Sequence, residues 1–203
     1  MHWDRLFEDL EGQLAAEWES ERAALSAESE RLRISRLELR GRLRHLCDSR
    51  VSVVIELASG RRLPVSLRAL GADWLAIESA PGEDVRTGGA TRIVPLHAIR
   101  GIRADHGALL SSLEDAPRPA STVRDRMTFG FVLRDLARRR VPVHLSMTVG
   151  DDVHGTIDRA GADHLDLAVH DAGTARLAGL VHGFRLIPFT ALVAVRTVGD
   201  HRP

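Results

Sequence analysis

The sequence predicts an α+β protein, mainly β, in which two tandem copies of a five-stranded small barrel are each preceded by a helix. An internal repeat carries this prediction: residues 51–55 match residues 141–145, and residues 71–75 match residues 161–165. Apolar residues in each copy alternate with other residues, which is typical of strands with one buried face. Repetition at a fixed spacing indicates copies of one structural unit. A proline-free stretch rich in good helix formers adds a long N-terminal helix.

The N-terminal helix is predicted over residues 2 to about 48, with or without a break, and residues 1–35 form a region of their own. Its apolar residues follow an approximate heptad spacing, which predicts a short, imperfect coiled coil. An alternative is a helix that packs on the barrels of its own chain. The spaced residues are Trp3, Phe7, Leu10, Leu14, Trp18, Leu25, Leu32, Leu39 and Leu46.

Charge is uneven along this predicted helix. Residues 1–31 hold nine acidic residues and three arginines, a net charge of −6, whereas residues 32–50 hold six arginines and two acids, a net charge of +4. Antiparallel self-association would place the acidic half beside the basic half. The alternatives are a basic binding face and two solvated faces, which is the ordinary case for charge runs.

The first barrel with its helix is predicted over residues 36–104. Turns at Gly60 and at residues 71–73 separate three strands, and a tight turn at His97 separates the last two. A polar, Gly-rich loop is expected at residues 81–89. Five short strands joined by tight turns predict a small closed or nearly closed barrel.

The second barrel with its helix is predicted over residues 122–203, after a linker at residues 105–121 that contains Pro117 and Pro119. Thr122 or Ser121 is expected to cap the helix, with Asp125 three residues later. Units of 60–70 residues bury limited apolar surface. The two barrels are therefore expected to pack on each other or on the N-terminal helix.

Composition limits the class of protein. Acidic and basic residues balance at 28 each, so the chain has no overall basic field that would attract nucleic acid. All the basic residues are arginine, which indicates a GC-rich bacterial genome. The single cysteine, Cys47, excludes an intrachain disulfide, and the N-terminus does not resemble a signal peptide. We expect a cytoplasmic protein with no membrane segment.

The repeat carries motifs that can be compared with a known family. The second copy has alternating apolar residues, a turn glycine, another glycine five residues later and an aspartate in the next turn: Val143, Leu145, Gly150, Val153, Gly155, Ile157 and Asp163. The first copy follows the same pattern but has Val65 in place of the second glycine. With residues 93–99, which contain His97-Ala98-Ile99, this pattern resembles the Sm-like family, which includes Hfq. The resemblance covers roughly residues 36–104 and 126–198.

The resemblance implies a bent five-stranded barrel, RNA binding and association between barrels, the fourth strand of one pairing with the fifth of the next. Two fused barrels would count as two ring positions, so three chains could close a six-membered ring. The chain departs from the family at positions that hold RNA bases. Ile77 and Leu167 replace an asparagine, and Leu96 replaces the lysine of Hfq.

Candidate RNA-contacting residues remain at three places. His97 lies at a family contact position, although a turn histidine more often bonds to backbone. Trp74 could stack on a base, although an aromatic there is more often core. Arginines before each barrel could form a basic rim for phosphates, or a solvated face. They are Arg40, Arg42, Arg44, Arg138, Arg139 and Arg140.

No motif predicts catalysis, a metal or a cofactor. Five histidines crowd the second copy without a ligand spacing, namely His144, His154, His164, His170 and His182. Two functions are therefore weighed. The first is a non-enzymatic Sm-like protein that binds single-stranded RNA as a homo-oligomeric ring or pseudo-ring. The alternative is a protein-interaction scaffold or adaptor without nucleic acid, with partners held through the N-terminal helix.

Overall fold

The fold is that of a computed structural model, which describes residues 2–79, 91–114, 122–174 and 176–197. The predicted loop at residues 81–89, residues 115–121 of the predicted linker and the predicted end of the second barrel at residue 198 lie outside the described residues. The chain divides into two units, residues 1–42 and residues 43–203.

The first unit contains α1 (His2–Ser35) and the start of α2 (Leu39–Asp48). The predicted helix is therefore broken at residues 36–38. The break begins with a tightened turn, in which the backbone N–H groups of Arg36 and Leu37 donate to the carbonyls of Arg33 and Ile34 at 3.2 and 3.0 Å. Bonds that span three residues rather than four are typical of frayed helix ends. No described helix is both long and apolar enough to span a bilayer.

The second unit is built on one antiparallel sheet of ten described strands, in the order β5-β1-β2-β3-β4-β10-β6-β7-β8-β9. The strands are β1 (Ser52–Leu57), β2 (Arg62–Leu70), β3 (Trp74–Ser79), β4 (Thr91–Pro95), β5 (Ile99–Arg103), β6 (Pro142–Met147), β7 (Val153–Ala160), β8 (His164–Val169), β9 (Gly183–Pro188) and β10 (Leu192–Thr197). The α+β class is confirmed. The strands form one continuous open sheet, and division into two barrels stays a prediction.

Three further helices follow β5 and precede β6 along the chain, namely α3 (His106–Ser111), α4 (Val123–Arg126) and α5 (Phe129–Arg139). The predicted cap is confirmed, because Thr122 and Asp125 form a reciprocal capping box at the start of α4. The predicted helix over residues 122–139 is interrupted at Met127, and Thr128 caps α5 separately. Helix α3 lies inside the stretch that was predicted as a linker.

The two halves repeat each other in strand register. β1 pairs with β2 as β6 pairs with β7, and β3 pairs with β4 as β8 pairs with β9, residue for equivalent residue. Arg68 and Asp158 interrupt the second strand of each half at the same place. Arg50 and Arg140, which follow α2 and α5, both adopt left-handed backbone conformations. Bulges of the kind seen at Arg68 and Asp158 bend and twist a strand.

Each half contributes side chains to the hydrophobic core of the other. The first core contains Leu43 and Leu46 of α2, residues of β1–β4 and Ala98, and also Val193 and Ala194 of β10. The second core contains α5 and residues of β6–β10, and also Trp74, Ala76 and Ile93 of the first half. Two marginal units thereby share one larger buried surface, which offsets the limited core of each.

Candidate functional site

The two halves meet where β4 pairs with β10, a contact called the seam here. β4 is the fourth strand of the first half and β10 is the fifth strand of the second half. Ile93 lies opposite Val195 and Arg92 lies opposite Arg196. Ile93 is 1% exposed, and the buried Arg92 donates to Ser79 Oγ at 2.5 Å. The seam therefore joins the halves by both backbone pairing and side-chain burial.

The turn before β3 binds the segment between α4 and α5. Trp74 Nε1 and the backbone N–H of Ala72 each donate to the carbonyl of Met127 at 2.9 Å. The backbone N–H of Phe129, at the first turn of α5, donates to Asp73 Oδ1 at 2.5 Å. The aspartate thus satisfies one of the free amides of a helix N-terminus. The repeated Gly-Ala-Asp motif is therefore a helix-docking turn in the first half.

Gly71 is required by this turn because the Trp74 ring folds back over it. A Cβ atom at position 71 would lie 2.1 Å from Trp74 Nε1. No side chain fits at that distance, so the tryptophan position depends on the glycine. The equivalent Gly161 is similarly close to the ring of His164, because a Cβ atom at position 161 would lie 2.7 Å from His164 Cε1.

A groove of about 880 Å³ lies beside the seam, between strands β2–β4 and helices α4 and α5. Its inner wall includes the small residues Ala69 and Ala76, the buried Trp74, and Val132 and Leu136 of α5. Its outer wall carries charged residues and Phe131, whose side chain is 49% exposed. The charged residues are Arg68, Glu78, Arg124, Asp135 and Arg139. The volume of this groove, which has an apolar inner wall and a charged outer wall, is within the range of ligand sites.

Ion pairs organise the charged wall of the groove. Arg68 pairs with Glu78, and Asp135 accepts from Arg138 at 2.6 Å and from Arg139 at 2.8 Å. The hydrogen bond from Arg138 holds the pKa of the Asp135 carboxyl below its ordinary value. Exposed pairs of this kind contribute little stability but fix where the guanidinium groups lie.

The structure brings two of the eight predicted site residues together, because Trp74 and Arg139 both line the groove. Trp74 is 3% exposed, so it offers no free ring face to a base. Arg138 is exposed beside Arg139. Arg140 lies at the end of α5 and pairs instead with Asp158 at 2.8 Å. These arginines therefore form ion pairs, with Asp135 shared by Arg138 and Arg139, rather than an unpaired rim.

The remaining predicted residues lie elsewhere. Arg44 pairs with Asp125 at 2.8 Å, where both side chains are largely buried. Arg40 and Arg42 are half-buried residues of α2 within the first unit. His97 is exposed in the 3₁₀ turn Leu96–Ala98, as predicted for a strand-connecting turn. Its exposure leaves His97 accessible to a ligand.

Sequence reasoning missed Phe131, Arg68 and Arg124. Phe131 lies off the apolar stripe of α5, so an aromatic residue at an outward position was the available signal. Arg68 and Arg124 are 56 positions apart and line the same groove from two different elements, β2 and α4. No local pattern predicts that approach.

Both ends of the sheet are open in the described structure. On β9, Leu186 is 69% exposed and Phe184 is also exposed, whereas the equivalent of Leu186 on β4, Ile93, is buried by β10. Asp163 and His164, equivalent to the docking turn of the first half, are exposed as well. At the other end, β5 presents the exposed Arg100 and the half-buried Ile102. β9 and its neighbouring turn are therefore equivalent to the surfaces of the first half that β10 and the start of α5 cover, but no described strand or helix covers them.

The crowded histidines of the second half do not form a metal site among the described residues. The buried His170 contacts Thr156 Oγ1 through Nε2 at 2.9 Å and packs edge to face with His154, with ring centroids 5.1 Å apart. Burial, and then the charge of Arg196, lower the pKa of the His144 imidazole. His154 and His170 therefore pack against each other at β7 and the end of β8, whereas His164 and His182 are exposed.

Comparisons of the chain with protein-family models, with curated proteins and with solved structures found no match. The Sm-like family therefore rests on the repeated residues and stays a prediction.

Proposed function

We propose that this chain is a non-catalytic, Sm-like assembly protein whose two halves act as tandem small barrels and whose open sheet edges bind further copies. The resulting ring or pseudo-ring would serve as a scaffold for other proteins. The seam is the observation that carries this proposal. It pairs a fourth strand with a fifth strand, which is the association that the family resemblance predicts between barrels.

The β9 end supports association with a second copy, because it repeats the β4 surface without a cover. A β5 strand from another chain would pair with β9 in the way that β10 pairs with β4. Ile102 would then lie opposite Leu186, as Val195 lies opposite Ile93. Open strand edges with exposed apolar residues favour such pairing. Three chains joined in this way would close a ring of six five-stranded halves.

The contact between chains would be more polar than the seam. Positions filled by Ala69 and Ala76 in the first half hold Arg159 and Asp166 in the second. The helix position filled by Val132 in α5 holds Arg42 in α2. An arginine facing an aspartate would replace the alanine–valine contact. A more polar interface is typical of subunits that associate reversibly.

Light scattering on the full chain tests the proposal. We expect a mass of several chains, and we expect Leu186→Arg to reduce it because the arginine would be buried against the incoming strand. The matched control is Val149→Arg, which places the same side chain at an exposed apolar residue away from the sheet edge. Equal masses for both variants and the unchanged chain would reject edge association.

RNA binding is the second candidate, and the groove is the observation that favours it. Phe131 offers a half-exposed ring, and Arg124 and Arg139 lie in the same wall. Stacking on an aromatic ring beside phosphate-binding arginines is a common way to bind single strands. The ligand would be single-stranded RNA, held without the base-contacting residues that this chain lacks.

Fluorescence anisotropy with A-rich and U-rich oligonucleotides tests this candidate. We expect binding that weakens with salt and that falls roughly tenfold in Phe131→Ala, in line with about 1–3 kcal/mol for one stacked base. Val149→Ala, which removes an exposed apolar side chain outside the groove, is expected to bind like the unchanged chain. No binding at low salt would reject RNA as the ligand and leave the scaffold.

A further inference from the structure

Helix α1 carries an apolar stripe that no other described part of the first unit covers. The stripe comprises Phe7, Leu10, Leu14, Trp18, Leu25 and Leu32, and each of these side chains is exposed. Most helices in proteins are stabilised by packing an apolar face rather than by propensity alone. The stripe runs from residue 7 to residue 32 of this 34-residue helix, a length of about 37 Å. The stripe therefore needs a partner.

Four residues of the stripe are spaced symmetrically about its middle. Phe7 and Leu14 precede the point between residues 19 and 20 by the same distances at which Leu32 and Leu25 follow it. Two such helices laid antiparallel about that point place Phe7 opposite Leu32 and Leu14 opposite Leu25. Both pairs occur twice because the arrangement has a twofold axis. Each large residue at these positions then faces an apolar residue.

The charges of α1 favour the same orientation. Residues 7–21 contain six acidic residues and no basic residue, whereas residues 22–35 contain three arginines and two glutamates. A parallel pair would place a segment of charge −6 beside an identical one. An antiparallel pair about the point between residues 19 and 20 places it beside residues 18–32, whose net charge is −2, which lowers the repulsion. Arrangement of like charges decides partner orientation in paired helices.

We propose that α1 forms an antiparallel coiled coil with α1 of a second copy of this chain. The twofold axis passes between residues 19 and 20, and the exposed Trp18 lies beside it against the other helix. The acidic residue Glu21 lies opposite Trp18 near the axis, where its methylene groups cover the ring and its carboxylate reaches solvent. This contact is separate from the β9 edge and does not depend on it.

The mass of the full chain tests the helix contact when edge association is weakened. In a Leu186→Arg background we expect light scattering to give twice the chain mass, and we expect Leu25→Glu to halve it. One Leu25→Glu substitution affects two layers, because residue 25 faces residue 14 on both sides of the axis. Circular dichroism establishes that α1 remains helical in the variant.

Ala27→Glu is the matched control, because it adds the same charge to an exposed position on the opposite face of α1. It is expected to keep the doubled mass. A mass that Leu25→Glu leaves unchanged, or a single-chain mass before that substitution, overturns the proposal. An unchanged chain that already has only twice the chain mass, and keeps it in Leu186→Arg, would reject the scaffold ring alone, so the two failures are distinguishable.

Disulfide trapping tests the orientation in a Cys47→Ala background. Chains with Phe7→Cys are mixed with longer-tagged chains with Leu32→Cys, and each variant is also oxidised alone. We expect a crosslink in the mixture and none in either variant alone, since residues 7 and 32 of one helix are about 37 Å apart. A crosslink between two Phe7→Cys chains would establish a parallel pair and overturn the antiparallel one.

Discussion

At the scale of single residues, one short turn explains several features of the repeat. Gly71 leaves room for the Trp74 ring, and that ring and Asp73 hold the start of α5 through a carbonyl and an amide. The motif therefore has a structural role in the first half. Its copy in the second half is exposed, so the same residue types serve a folded contact in one place and an open surface in the other.

Gly71→Ala is expected to destabilise the protein by about 2–4 kcal/mol, because the methyl group displaces Trp74 and breaks its bond to Met127. Urea unfolding followed by circular dichroism measures this loss. Gly41→Ala is the control, since a Cβ there has no neighbour within 4 Å. The control is expected to gain stability in helix α2. Equal stabilities of the two variants would contradict the role of Gly71.

The His144 imidazole gives a pH dependence of stability. Its pKa in the folded chain is lowered from the ordinary 6.5 by burial and by Arg196, while Asp152 opposes that shift. Protonation is therefore easier in the unfolded chain, so stability is complete above about pH 6.5 and falls as pH decreases through the folded pKa. Asp135 and Asp158, whose pKa values are lowered from 3.8, lose their contribution only below about pH 4.

Urea unfolding at pH 8, 6.5 and 5 measures this dependence. We expect a loss of stability across that range in the unchanged chain and a smaller loss in His144→Gln. Because the aspartates remain ionised over the same range, their contribution does not change there. An equal slope in both proteins would assign the dependence to another group.

At the scale of elements, the capping box before α4 links local structure to a distant helix. Asp125 accepts from the backbone of Thr122 at 2.8 Å and also pairs with Arg44 of α2 at 2.8 Å. One carboxylate therefore closes a turn and joins elements that are 81 positions apart. The sequence predicts the first role from spacing alone, but the second needs the folded sheet.

Asp125→Ala is expected to cost more stability than Thr122→Ala, for which about 1 kcal/mol is ordinary. The aspartate variant loses the cap and also leaves Arg44 largely buried without this carboxylate. Unfolding of Asp125→Ala, Arg44→Ala and the double variant forms a cycle that isolates the pair. Additive losses would mean that the pair contributes nothing.

Most elements could be predicted from local patterns, and most contacts could not. Alternation of apolar residues predicted β1 and β6, and the Thr122–Asp125 spacing predicted a helix start, because each pattern lies within a few residues. The burial of Trp74 depends on a carbonyl 53 positions away, so no pattern near it carries that information. The groove was missed for the same reason, since its two walls come from different halves.

At the scale of the whole molecule, the exchange of core residues makes the second unit one cooperative body. Val193 belongs to a strand of the second half but is buried in the core of the first. Trp74 belongs to the first half and is buried in the core of the second. Unfolding either half alone would expose apolar surface of the other.

Val193→Ala is expected to lower stability by about 2 kcal/mol and to shift both halves together. In a background with Trp3 and Trp18 replaced by Phe, the fluorescence of Trp74 reports on the second core. We expect its unfolding curve to coincide with that from the β signal of circular dichroism. Two separated transitions would contradict the shared core.

The seam joins two five-stranded units within one polypeptide. Any closed circle of these chains contains an even number of five-stranded units, because each chain supplies two. Neighbouring units differ in side chains at equivalent positions. The rotational symmetry of the circle is therefore at most half that of a circle with the same number of identical units. Binding positions around such a circle would alternate between two chemical kinds, and a guest molecule could distinguish odd positions from even ones.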